Sequence, residues 1–260
     1  MFDVLNFSLE DLQVFILVLV RVSSLFVVAP LLGAKTIDNR IKAAASLIMA
    51  VIMLHTVDRT GFAAVDNFFL LTPYILREFM TGIVIGFAAG FIFYSLQFSG
   101  HMIGRQMGIA MANVFDPETE EQVPVIGQYF TLFATILFLL IDGHHWLIRA
   151  FMESYKAVPL AGLKFTDLFY DKIIILSSDI FVIGVKVAAP VFVSLLMLTL
   201  IMGVLARAVA SMNIFAVGFP IKILGGMVML LIFVEIYADI FLKVFTSFQH
   251  DIETLISVMA

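Results

Sequence analysis

The sequence predicts an all-α integral membrane protein whose helices form irregular hairpins with breaks and kinks. Hydrophobic residues make up 62% of the 260 residues, and the mean hydropathy is +1.09. Charged residues make up 13%, about half of the roughly 25% that is typical of soluble domains. Several apolar stretches reach or exceed the length of about 20 residues that a helix needs to cross a bilayer. These observations indicate a membrane protein.

The apolar stretches differ in length, and this difference predicts the irregularity. In chain order they are Leu12–Leu32, Ile41–Leu54, Phe68–Phe98, Val125–Ile141, Ile173–Ala206 and Ile214–Leu242. The first and fourth suit a single span, the second is short, and the other three are too long. The long stretches contain Pro73, Pro190, and Pro220 with the Gly225–Gly226 pair. Because proline kinks or ends a helix, we expect long kinked helices, or hairpins that turn back at membrane depth.

The composition and motifs argue against several classes of function. The formal net charge is −5, and the absence of a basic run argues against a nucleic-acid partner. The chain has no cysteine, which removes disulfides, thiolate chemistry and cysteine metal sites. The acidic N-terminal segment predicts no cleaved signal peptide. No phosphate-binding loop, dinucleotide fingerprint or HExxH motif occurs. The sequence therefore predicts neither an enzyme nor a cofactor.

The stretch from Gly100 to Gly127 is the polar exception in this apolar chain. Its carboxylates are Asp116, Glu118, Glu120 and Glu121. No lysine or arginine occurs between Gln106 and His144. Unpaired carboxylates and free backbone groups find no partner in lipid. We therefore expect this loop in water, against protein, or in a water-filled passage.

Glycines at intervals of four residues lead into the acidic stretch. The first series is Gly82, Gly86 and Gly90, and the second is Gly100, Gly104 and Gly108. At about 100° per residue, the step from Gly82 to Gly100 makes about five whole turns, so one continuous helix would align all of them. Small residues at this spacing let helices pack closely in membranes. The stripe predicts either packing against another helix or the lining of a passage.

Charged residues within the apolar stretches are candidates for buried ion pairs. Several of them stand out: Arg21, Arg77, Glu78, Lys186, Lys222, Glu235 and Asp239. Charges at membrane depth are costly and usually face the bundle interior or a cavity. Asp239 can pair with Lys243 one helical turn later, and Glu235 then needs another partner, either Arg21 or Lys186. The sequence leaves open whether Arg21, Lys186, Glu235 and Asp239 form interhelical ion pairs or an ion or proton relay.

His144 and His145 follow Asp142 and are residue types that bind metals. Adjacent histidines on a helix point about 100° apart, and metal sites usually have three or more well-placed ligands. We expect no metal here. An intramembrane enzyme that uses these two histidines is the least supported function.

Motifs along the whole chain resemble one family. They are Arg21-Val-Ser-Ser-Leu-Phe followed by Pro30; the Ile41-Lys42 turn; Gly82, Gly86 and Gly90; Gln106-Met-Gly with Phe115-Asp116-Pro117; Gly143-His144; and Asn213-Ile-Phe-x-x-Gly218-Phe-Pro220-x-Lys222. In this order and spacing they look like the FliR family of flagellar export-gate proteins. The counterpart of that family, SctT, serves virulence type III secretion systems.

The resemblance implies a fold, partners and a location. A FliR protein resembles a fusion of a FliP-like part, here approximately residues 1–172, with a FliQ-like part, residues 173–260, in one export-gate domain. It joins FliP and FliQ chains in a hetero-oligomeric spiral of helical hairpins around the export channel. FlhB and FlhA are further partners. The implied location is the bacterial inner membrane, in the flagellar basal body and in contact with lipid.

The resemblance also implies a role for the acidic loop. A loop of FliR plugs the closed channel, and the matching loop here is about residues 107–125. The plug residues that it implies are Met107, Gly108, Met111, Asn113, Phe115, Asp116 and Pro117. The implied function is a non-catalytic gate subunit that forms and plugs a channel for unfolded flagellar substrates.

A secondary transporter is the alternative from another class. In this hypothesis Lys186, Glu235 and Asp239 couple ion or proton movement to transport of a solute. The purified chain alone would then move a solute in liposomes. The lack of a convincing internal repeat and the acidic central loop count against it.

Overall fold

The computed structural model describes residues 8–34, 37–57, 59, 62, 64–65, 68–109, 125–208 and 214–260. Within these residues the regular secondary structure is helical, with no strand. The helices are α1 (Leu9–Val28), α2 (Asn39–Met53), α3 (Phe68–Met107), α4 (Val125–Leu140), α5 (Gly143–Ala157), α6 (Asp167–Ala208), α7 (Ile214–Ile232) and α8 (Val234–Val258). The all-α prediction is confirmed.

The long apolar stretches form long helices, and their prolines do not end them. Helix α3 has 40 residues with Pro73 inside it, and α6 has 42 residues with Pro190 inside it. The last long stretch is interrupted at Phe233, between α7 and α8, whereas Pro220 lies within α7. An interior proline costs about 3 kcal/mol, and burial of a helix face offsets this. Around Pro190, Val187, Val191 and Leu195 are almost fully buried.

Three of the described helices are long and apolar enough to cross a membrane: Leu9–Val28, Phe69–Met107 and Asp167–Ala208. Two further pairs of helices are long and apolar enough only when the two helices of a pair are taken together. The helices of each pair meet at a short break with a sharp bend. These pairs are Val125–Leu140 with Gly143–Ala157 and Ala216–Ile232 with Val234–Val258. The described residues thus offer three spans, or up to five if each bent pair is one span. The bent pairs confirm the general prediction of broken helices, although one of them includes the fourth stretch, for which a single span was expected.

The described residues form two compact units that alternate along the chain. Unit 1 draws on Met1–Phe91, Asp142–Leu176 and Phe248–Ala260, and unit 2 draws on Ile92–Ile141 and Ser177–Ser247. The expected division into residues 1–172 and 173–260 concerns likeness to two other families. That division remains a prediction.

The core of unit 1 contains one face of α1. The helix begins with a capping box in which Ser8 and Asp11 exchange hydrogen bonds. Its fully buried apolar side chains are Val14, Leu17, Val18, Val22 and Leu25. Steps of three and four residues place these side chains on a single helix face. The same helix packs against α2.

The core of unit 2 contains a row of aromatic rings from three helices. Phe93 of α3 meets Phe138 of α4 with ring centroids 5.4 Å apart, and Phe138 meets Phe245 of α8 at 5.7 Å. Phe130 of α4 meets Tyr237 of α8 at 5.2 Å. All three contacts are edge-to-face, an arrangement that aromatic pairs favour. The row joins α3, α4 and the first part of α8.

Candidate functional site

The C-terminal end of α3 is fixed against α7 in unit 2. Met107 is fully buried, and a Cβ atom added to Gly226 would lie 2.6–2.8 Å from Met107 side-chain atoms. Gly108 has a φ of 84°, a left-handed conformation that glycine adopts at helix ends without strain. A Cβ atom on Gly108 would lie 3.4 Å from the ring of Phe219. Helix α3 therefore ends at a defined place on α7.

The first turn of α4 packs directly on the last turns of α3. A Cβ atom on Gly100 would lie 2.6 Å from the Cα atom of Gly127 and 2.7 Å from the carbonyl oxygen of Ile126. One turn later, a Cβ atom on Gly104 would lie 3.5 Å from the Ile126 side chain. The two main chains touch at Gly100 because neither glycine has a side chain. These contacts join the helix before the acidic segment to the helix after it. We call this contact of Gly100 and Gly104 with Ile126 and Gly127 the base of the acidic segment.

The acidic segment itself spans residues 110–124, outside the described residues. Among the candidate plug residues, Met111, Asn113, Phe115, Asp116 and Pro117 lie in this segment. Met107 and Gly108 are described, and both contact α7 residues, as given above. The plug assignment therefore remains a prediction.

The first glycine series packs against α1 in unit 1. A Cβ atom on Gly82 would overlap the hydroxyl of Ser24 and the carbonyl oxygen of Arg21. A Cβ atom on Gly86 would lie 3.2 Å from Val28 Cβ, and Gly90 is buried. Within each unit, the described part of the stripe therefore includes helix–helix contacts.

A fully buried ion pair joins α1 to α3. The guanidinium of Arg21 donates to both carboxylate oxygens of Glu78, from Nε to Oε2 and from Nη2 to Oε1 at 2.9 Å. Both side chains have 0% exposure. The ring of Tyr155 lies 4.1 Å from the Arg21 Cζ atom, a favourable cation–π contact. The carboxylate partner of Arg21 is thus Glu78 and not Glu235, which the sequence had offered as one candidate.

Helical spacing could not identify this partner. Arg21 and Glu78 are 57 residues apart, and only the packing of α1 on α3 brings them together. The available signal was weak: Glu78 is one of few carboxylates inside an apolar stretch, where a charge needs a partner.

The other candidate charges are on the surface of the single chain. Lys186, Glu235 and Asp239 are exposed, and among the described residues no ion pair includes any of them. Asp239 and Lys243, whose spacing allows them to pair, are both exposed, and no ion pair joins them among the described residues. Burial of these three charges would require a partner chain, so their role in ion pairs remains a prediction.

Asp142, His144 and His145 lie together at the start of α5. One ligand atom from each lies within 4.8 Å of the others. His145 Nδ1 lies 3.1 Å from Asp142 Oδ1, and these side chains are 67% and 75% exposed. The residue types suit a metal such as zinc, but His144 is only partly exposed, and exposed acidic groups such as Asp142 are common without an ion.

Comparisons with known proteins agree along nearly the whole chain. The family model described as "Bacterial export proteins, family 1" matches residues 12–248. The chain is 31% identical over 259 residues to the flagellar biosynthetic protein FliR of Bacillus subtilis (strain 168), covering 98% of both chains. It is 27% identical over 239 residues to FliR of Escherichia coli (strain K12), covering 92% of this chain and 91% of the relative. FliR of Aquifex aeolicus is 27% identical over 225 residues, which is 86% of each chain. The chain therefore belongs to family 1 of the bacterial export proteins, the family of the flagellar biosynthetic protein FliR.

Proposed function

We propose that this chain is a non-catalytic subunit of the flagellar type III protein export gate. In this role it forms, with FliP and FliQ chains, the channel through which unfolded flagellar substrates pass. The observation that carries the proposal is the similarity to FliR proteins over nearly the whole length of both chains. Its further partners are FlhB and FlhA homologues, and its place is the basal body in the bacterial inner membrane.

The surface of α6 supports a role within an assembly. Val182, Val185 and Val193 are exposed large apolar residues on this helix, and Lys186 is exposed among them. A surface of this composition is unfavourable in water, and a lysine at membrane depth is unfavourable in lipid. Helix α7 adds further exposed apolar residues, including Leu224, Met227 and Leu231. A partner protein with a carboxylate opposite Lys186 would cover the apolar surface and pair with the lysine.

Native co-purification tests the assembly. A tag on this chain should recover FliP- and FliQ-like chains from membranes in one stable complex. Recovery of a well-folded chain without such partners would overturn the gate proposal. Liposome transport would then test the transporter alternative, in which Glu235→Gln must stop movement of the solute.

We also propose that the segment from Met107 to Val125 plugs the closed channel. Two described features support this proposal at the two ends of the segment: Met107 and Gly108 contact α7, and Ile126 and Gly127 pack on α3. A plug must be fixed at its base and polar enough to remain out of lipid. The carboxylates of the segment meet the second condition, because unpaired charges are unfavourable in lipid.

Deletion of residues 116–122 tests the plug. Cells that carry this deletion should still assemble the complex but should leak ions or small molecules through it. A complex that assembles and is as tight as the wild type would contradict the plug assignment. Loss of assembly would instead show that this segment is needed to build the gate.

A further inference from the structure

The connection from α5 to α6 contains a turn with an unusual backbone. The amide of Gly162 donates to the carbonyl of Pro159 at 2.9 Å, which closes the turn. Ala161 has a φ of 58°, in the left-handed region that an L-residue with a Cβ atom adopts only at a cost. Leu160 and Ala161 are both buried. Other contacts must therefore hold this turn in its conformation.

The Arg21–Glu78 pair supplies those contacts. Arg21 donates from Nη1 to the carbonyl of Val158 at 3.1 Å and from Nη2 to the carbonyl of Pro159 at 3.4 Å. The Oε1 atom of Glu78 accepts the amide of Ala161 at 2.6 Å. Neighbouring Arg77 donates from Nη1 to the carbonyl of Ala161 at 3.0 Å. Donors thus face carbonyls and the carboxylate faces an amide, so both the polarity and the shape of the turn match the ion pair.

We propose that the Arg21–Glu78 pair is a template that fixes the turn at residues 158–162, beyond its role of joining α1 to α3. The turn sets the direction in which the chain leaves α5 for α6. Contacts further along continue the same path: the amide of Lys164 donates to the carbonyl of Met259 at 3.1 Å, and Lys172 pairs with Asp251 at 2.7 Å. The connection between α5 and α6 is thus held first by Arg21 of α1 and Glu78 of α3, and further along the chain by contacts with the C-terminal part of the protein.

The alternative is that the pair only neutralises two buried charges, and reversal of the pair separates the two cases. In the double variant Arg21→Glu with Glu78→Arg, an ion pair remains possible, but a carboxylate then faces the carbonyls of Val158 and Pro159. A second variant, Arg21→Lys, keeps the charge but loses the planar fork that reaches Glu78 and two carbonyls together. If the ion pair holds the turn in its conformation, both variants should make the turn more mobile.

Cysteine labelling reports the state of the turn, because the chain has no native cysteine. Leu160 is 9% exposed, so Leu160→Cys should react slowly with a maleimide in the full-length protein in native membranes. We expect both variants to increase the labelling rate about tenfold or more. A buried polar group that loses its hydrogen-bond partner favours opening of the turn by a factor of about that size. Reversal of the simple pair Lys172–Asp251 is the matched control and should leave the rate unchanged.

Assembly into membranes is checked in parallel by the yield of intact complex. Wild-type labelling rates in the reversed pair would overturn the template and leave charge neutralisation as the explanation. If the reversed pair fails to accumulate, Arg21→Lys decides the question: a wild-type rate overturns the proposal, and a faster rate supports it.

Discussion

At the scale of single residues, Gly82 lies at a close contact between α3 and α1. An added Cβ atom would overlap the Arg21 carbonyl oxygen and the Ser24 hydroxyl, and a main-chain carbonyl moves aside less easily than the end of a flexible side chain. We expect Gly82→Ala to destabilise the protein by about 1–3 kcal/mol, as overpacking of a core does. The measurement is the thermal unfolding midpoint in detergent.

Gly203 provides the control for this substitution. It lies within α6, and an added Cβ atom would meet no other atom within 4 Å. Gly203→Ala should leave the midpoint unchanged or raise it, because alanine favours a helix by up to about 1 kcal/mol over glycine. Equal losses at both positions would show that the close contact at Gly82 does not limit packing.

Ala161 is a residue whose replacement should stabilise the protein. Its left-handed conformation costs an L-residue roughly 1–2 kcal/mol, and glycine removes that cost while adding freedom to the unfolded chain. We expect Ala161→Gly to raise the thermal midpoint, with a net gain of about 0.5–1 kcal/mol. By contrast, Ala150→Gly within α5 should lower the midpoint. A fall at both positions would contradict the strain at Ala161.

At the scale of helices, the crossing of α3 and α4 fixes the base of the acidic segment. An added Cβ atom on Gly100 would lie 2.6 Å from Gly127 Cα, so Gly100→Ala must move one helix away from the other. We expect a loss of about 1–3 kcal/mol in stability and, if the segment is the plug, leakage of small molecules through the assembled gate. Thermal unfolding measures the first effect, and dye uptake by cells measures the second.

The control for this crossing is one turn away on the same helix. A Cβ atom on Gly104 would lie 3.5 Å from the Ile126 side chain, which is an ordinary contact. Gly104→Ala should therefore be tolerated in both measurements. If Gly100→Ala lowers the midpoint without leakage, the crossing holds the helices together but does not position a plug.

At the scale of the molecule, the C-terminal end of α8 is part of unit 1 although it is last in the chain. Ile252, Leu255, Ile256 and Met259 are buried there. Each such side chain contributes about 1.5–3 kcal/mol when it is buried, and the sum is comparable to the whole stability of a typical domain. We expect deletion of residues 252–260 to abolish accumulation of the protein in membranes, as measured by immunoblot.

The ion pair beside this segment should matter much less. Lys172 and Asp251 are 17% and 28% exposed, and a pair with access to solvent typically contributes about 1 kcal/mol or less. Asp251→Asn should therefore accumulate normally. Normal accumulation of the deletion as well would show that unit 1 is stable without its C-terminal part.

Much of the fold was predictable because it depends on local pattern. The apolar stretches predicted the helices, and the interval of four residues placed Gly82, Gly86, Gly100 and Gly104 at contacts between helices. The position of the break between α7 and α8 was not predictable from Pro220. The cost of one proline is small beside the burial of a helix face, so residues distant in sequence decide where a helix ends.

The sequence by itself determined the all-α class, the suitability for a membrane and the family, because hydropathy, helical periodicity and ordered motifs are local properties. Only the tertiary structure decided that Arg21 pairs with Glu78, that this pair captures the turn at Ala161, and that the end of α8 belongs to unit 1. These contacts join residues that are distant along the chain. Their energies depend on burial and on the direction of each donor and acceptor, and neither exists until the helices have packed.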